Sequence, residues 1–169
     1  MFEFAGWLQA TPLSVAIQST LWLTPLLQSI HIVMIGIVFV SIAVVAMRVH
    51  GRMSTEEPLA VVWARFAPWF WGALGVMAGT GLVLAFSEPV RQVTALSFWI
   101  KMALLAIGIA SALYFGRTVA TASAGTQTGE VGGRARFAAI ATMLLWLAII
   151  FMGRSIAYDV EVWGSWHLA

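Results

Sequence analysis

Residues 21–47 read LWLTPLLQSIHIVMIGIVFVSIAVVAM, an uncharged run that ends against Arg48 and Arg52. It is longer than the ~20 residues a helix needs to cross a bilayer, so it predicts a tilted transmembrane helix. His31 lies in its outer half. Thr24, Gln28, His31, Met34, Val38, Ser41, Val45 and Arg48 recur at helical spacing and collect the polar groups into one stripe. Hydrocarbon cannot satisfy those groups, so the stripe is expected to face other helices or a bound cofactor.

The rest of the chain agrees with a membrane setting. Of 169 residues, 61% are hydrophobic and 9% charged, and the mean hydropathy is +0.92. A soluble domain carries about 25% charged residues, so the composition is that of an integral membrane protein. The net charge of +2 reflects a few basic residues better read as topology markers than as a nucleic-acid surface. There are no cysteines, which excludes disulfides, iron–sulfur clusters and thiolate metal sites. The first residues, MFEFAGWLQA, carry Glu3 in place of a positive n-region, so no cleaved signal peptide is expected.

Punctuation sets the other spans. Thr11 before Pro12 reads as a cap opening a short surface helix, separate from the first span because Pro25 intervenes. Pro58 to Phe66 reads as a second surface helix, with Pro68 starting the second span. The spans are then expected at about 21–47, 68–87, 97–116 and 137–157, with Ser97 capping the third. The segment 118–136 is small, polar and glycine-rich, hence an exposed turn. The fold class is therefore all-α: an antiparallel four-helix membrane bundle with one or two short interfacial helices. Gly72, Gly75 and Gly79 occupy one face of the second span, spaced for close helix packing or for a flat cofactor. Arg48, Arg52, Arg65, Arg117, Arg134 and Arg136 fall on one side, and Arg91, Lys101 and Arg154 on the other. By the positive-inside rule this puts both termini in the periplasm of a bacterial inner membrane.

Candidate chemistry collects in the outer half. With a rise of ~1.5 Å per residue, His31 lies roughly 13–15 Å below the outer end of its span, and Met77 at comparable depth. Lys101, Met102, Met152 and Arg154 are nearer the surface, and His167 follows the fourth span. Imidazole and thioether are haem ligands, and cations meet propionates. The reading is a membrane electron-transfer subunit with haem b ligated by His31. His167, Met77 or Met102 is the possible second ligand, and Lys101 and Arg154 lie near the propionates. Partners would be a quinol, other membrane or periplasmic redox subunits, or a second copy supplying its own His31. The alternatives are copper handling through His31 and Met34 on one helical face, with Met77, Met102, Met152 or His167 as further ligands, and a cofactor-free anchor in which His31 is packing glue. Arg48 reads as an orientation anchor, His50 as a turn histidine and Glu88 as a helix terminus. No nucleophile–base pair, phosphate loop or metalloprotease motif is present, which argues against a hydrolase.

Trp22-Leu23, Pro25, Gln28 and His31, the run Arg48-Val49-His50-Gly51, then GLVLAFSEP (81–89), FWIKMALL (98–105) and WLAIIFMGRSIAY (146–158) together carry a resemblance. Over nearly its whole length the chain resembles an uncharacterised group of bacterial four-helix inner-membrane proteins. That group is distantly similar to the membrane domain of the copper-resistance D family and, in layout, to small b-type cytochromes. The resemblance implies the four-helix fold, periplasmic termini and attention to His31, Arg48, Lys101 and Arg154. It implies no activity.

Overall fold

The computed structural model describes residues 2–122 and 133–164. Among the described residues the structure is all helix and turn, with no strand. Two short helices, α1 (Phe2–Gln9) and α2 (Pro12–Ser19), precede α3 (Leu23–Val49) and α4 (Leu59–Ser87). A short α5 (Pro89–Thr94) leads to α6 (Leu96–Ala122) and α7 (Gly133–Ser155). A 3-10 turn (Ile156–Tyr158) and α8 (Asp159–Trp163) follow. Four segments are long and apolar enough to span a membrane: α3, α4, α6 as far as Arg117, and α7 with its continuation to Trp163. α3 packs on α4, α4 touches α6, α6 packs on α7, and α7 returns to α3. The result is a closed up-down-up-down ring, a multi-pass membrane bundle.

Most of each span faces outward. The share buried inside the protein is 33% for the spans of α3 and α4 and 11% for those of α6 and α7. Ile32, Trp69, Leu82, Leu144 and Phe151 are each more than half exposed. Such a surface is costly against water and ordinary against acyl chains.

With the end that carries α1, α2, α5 and α8 labelled outer and the end at the α3–α4 turn labelled inner, the core sits in the middle and inner part of the ring. Val38 and Ile42 from α3 meet Phe70, Ala73, Leu74 and Met77 from α4 and Trp146 and Ile149 from α7. The Phe70 ring stands edge-on to Trp146 at 5.5 Å and to Trp71 at 4.9 Å, the arrangement aromatic quadrupoles favour. Trp146 fits because residue 108 is glycine: a Cβ there would lie 3.3 Å from the indole. Further inward, Val44, Val45 and Val62 form a second cluster, beside which Trp63 meets Phe115 edge-on at 5.2 Å.

α2 is a separate helix, as its punctuation predicts. The Thr11 hydroxyl accepts from the Ser14 amide at 3.4 Å, and Pro12 stands in the first turn. The second surface helix does not form. Residues 59–67 are instead the first turns of α4, which runs unbroken through Pro68. One apolar stripe explains this: Val62, Phe66, Phe70, Ala73, Met77 and Thr80 share a face and pack inward across the proline. That packing outweighs one missing helix bond, a loss membrane helices tolerate. Pro25, in the first turn of α3, costs nothing because its amide would have no intrahelical partner.

The outer end is fastened by buried polar bonds. The Ser14 hydroxyl donates to the Phe86 carbonyl at 2.8 Å and accepts from the Gln18 amide at 2.9 Å. The Asp159 carboxylate accepts from the Leu96 and Ser97 amides, each at 2.9 Å, so it caps α6 from the far end of the chain. Ser97, expected to cap its own helix, is instead capped by Asp159, and its hydroxyl accepts from the Trp163 indole at 2.8 Å. α1 packs on α5 and α8 on α6, so both described ends of the chain gather at one end of the bundle.

Candidate functional site

His31 lies on the inward face of α3, and its Nδ1 is 2.9 Å from the Thr80 hydroxyl of α4. Thr80 has one hydroxyl proton. Its oxygen is 3.0 Å from the Val76 carbonyl and 3.1 Å from the Met77 carbonyl, the back-bonding position of a helical threonine. With that proton on the helix, the oxygen accepts from His31 Nδ1–H, and the lone pair of the imidazole resides on Nε2. Fixing one ring nitrogen as a donor so that the other can ligate is what outer-shell partners do for metal-binding histidines. Gly81 completes the seat. A Cβ there would lie 3.4 Å from His31 Cε1, so the ring lies close against α4 at this residue.

Lys101 enters the same outer half from α6, across the ring from α3. Its stem crosses α7 at Gly153, where a Cβ would stand 3.3 Å from Nζ and 3.5 Å from Cε. Lysines one turn inside a span ordinarily bend back to the headgroups. This one packs Nζ, Cε and Cδ against Gly153 of α7. The ion pairs among the described residues are Arg65–Glu57 at the inner end and Arg91–Glu88 at the outer surface, so neither supplies Lys101 with a carboxylate. Met77, 5% exposed, belongs to the core beneath Thr80, and half-buried Met34 packs on the same cluster.

The other expected residues fall elsewhere. Arg154 is exposed and turns to Tyr158, with Nη2 3.3 Å from the phenol oxygen and the guanidinium 5.3 Å from the ring centroid. It does not join His31 and Lys101. His50 places Nδ1 2.8 Å from the Ala46 carbonyl at the end of α3. Arg48 donates from Nε to the Glu57 carbonyl at 2.8 Å and so fixes the inner turn. His167 lies outside the described residues. Gly72, Gly75 and Gly79 are exposed, with nothing within 4 Å of an added Cβ. They pack no helix of this bundle and make no room inside it. Among the described residues, no three histidines, aspartates or glutamates gather as a metal site.

Residues 14–159 match the family described as "Family of unknown function (DUF6644)". The chain belongs to that family. The match takes in His31, Thr80, Lys101 and Asp159 and leaves out α1. No curated protein and no solved structure matches this DUF6644 chain.

Thr80, Gly81 and Gly153 are the site residues that sequence reasoning missed. No local signal marked them: residue 80 comes opposite residue 31 only once α3 and α4 are paired in the fold.

Proposed function

We propose that this protein is a membrane electron-transfer subunit of the bacterial inner membrane, with both termini periplasmic and haem b held in the outer half through His31 Nε2. The observation that supports the reading is the 2.9 Å contact of His31 Nδ1 with the Thr80 hydroxyl; with the Nδ1 proton on that oxygen, Nε2 is the ring nitrogen that would ligate. The donor set suits the group: an imidazole with its outer-shell partner, a thioether at Met77 as second ligand, and at Lys101 a cation suited to a propionate. Arg154, turned to Tyr158, has no part in it. A macrocycle would have to sit between α4 and α6, which touch sparsely and meet at the inner end through Trp63 against Phe115 and Gly116. When bound, haem supplies reversible one-electron chemistry. The chain's own part is to fix the imidazole, exclude water and offer a compensating positive charge. Electrons would pass between a quinol or membrane partner and a periplasmic protein.

A second reading rests on Met34 and Met77 sharing one core cluster beneath the His31–Thr80 layer. Thioethers with imidazole suit Cu(I). One preparation separates the two. The detergent-purified protein, expressed with haem supplied, is expected to show a Soret band that sharpens on dithionite reduction. A featureless spectrum with stoichiometric copper by elemental analysis would establish the copper reading in its place. A blank in both would leave an anchoring role.

A further inference from the structure

At the outer surface, away from His31, α5, the 3-10 turn and α8 enclose a pocket of about 280 Å³. Arg91 and Thr94 form one wall, and Ile156, Asp159, Val160 and Glu161 the other. We propose that this pocket binds the headgroup of a phosphoethanolamine phospholipid of the outer leaflet. The charges carry the argument. Arg91 uses only Nε, 2.7 Å from Glu88 Oε2; among the described residues its two terminal nitrogens are unused and suit a phosphate fork. Both Asp159 oxygens are committed to the start of α6. Glu161 is exposed, and among the described residues it has neither ion pair nor hydrogen bond. Its carboxylate is thus the free acceptor for a primary ammonium.

The position is that of a headgroup. α5 joins the outer ends of two spans, and α8 continues the outer end of a third. Val160 is 59% and Val162 46% exposed beside the pocket, giving the lipid's glycerol and chains an apolar shoulder. Charge decides among headgroups. Glu88, Asp159 and Glu161 repel a net-negative phosphoglycerol, and a quaternary choline cannot donate a hydrogen bond to Glu161. Phosphate with a primary ammonium complements both walls.

The test is native mass spectrometry of the full chain, delipidated in mild detergent. It is titrated with phosphoethanolamine, phosphocholine and phosphoglycerol lipids of identical acyl chains. Phosphoethanolamine is expected to bind about tenfold tighter than the other two, the equivalent of one charge-assisted hydrogen bond. Glu161→Gln should erase its advantage over phosphocholine, and Arg91→Gln should weaken all three lipids. Both side chains are exposed, so an unchanged thermal midpoint is expected in each variant. Equal binding of the three headgroups, tightest binding of phosphoglycerol, or a preference that survives both substitutions would overturn the proposal.

Discussion

The inner and outer halves of this bundle are built on opposite principles. The inner half is closed by apolar shape: Phe70 against Trp146, Trp63 against Phe115, and Val38, Val45 and Val62 fully or nearly out of contact with the surroundings. The outer half puts polar groups on the same inward faces. It holds His31 on Thr80, Lys101 against Gly153 and, at the bundle end, short helices tied by Ser14, Ser97 and Asp159. In lipid, burying apolar surface gives little drive, so packing and satisfied polar groups hold helices together. The inner half uses packing and suffices as a scaffold. An outer half built only for stability would not need a histidine and a lysine that, among the described residues, lack an ion-pair partner.

The contrast can be broken in graded steps. Phe70→Ala should have the largest effect on stability, roughly 2–4 kcal/mol; the water-transfer part is small in lipid, but the cavity and lost contacts remain. A lowered unfolding midpoint in detergent reads this. Asp159→Ala leaves the Leu96 and Ser97 amides uncapped and should cost about 1–3 kcal/mol. Hydrogen exchange should rise at the first turn of α6 and stay flat at Val38 and Phe70. Thr80→Val keeps the shape and should cost less than about 1 kcal/mol. It frees the His31 ring, so any haem spectrum should broaden or shift while the midpoint barely moves. Gly153→Ala is the smallest change, within about 0.5 kcal/mol, since the flexible end of Lys101 can give way. Lys101→Met, by removing a positive charge from the proposed haem site, should lower the reduction potential of any bound haem in a redox titration.

Much of this fold was legible because the bilayer constrains it so tightly. Charge-free runs and Arg-bearing turns gave the first, third and fourth spans within a few residues of their helices and the second with its start nine residues late, and Thr11-Pro12 gave α2. Pro68 misled because a local rule competed with an apolar stripe visible only once α3 lies alongside. The glycines at 72, 75 and 79 misled for a related reason: spacing tells that three residues share a face, not which way that face points. His31 and Lys101 were readable as ionisable residues in hydrocarbon. Thr80, Gly81 and Gly153 were not, because each matters only through a neighbour on another helix. Asp159 caps α6 across more than sixty residues of chain, beyond the reach of any local pattern.

The central claim is that His31 Nε2 is a ligand atom. Chemical rescue tests it most directly: His31→Gly, purified with haem supplied, read by absorbance before and after added imidazole. The account predicts that the variant lacks the Soret band of the native protein, that imidazole restores it, and that dithionite then sharpens it. A variant that keeps the native spectrum without imidazole would contradict the account, as would a native protein that takes up no haem.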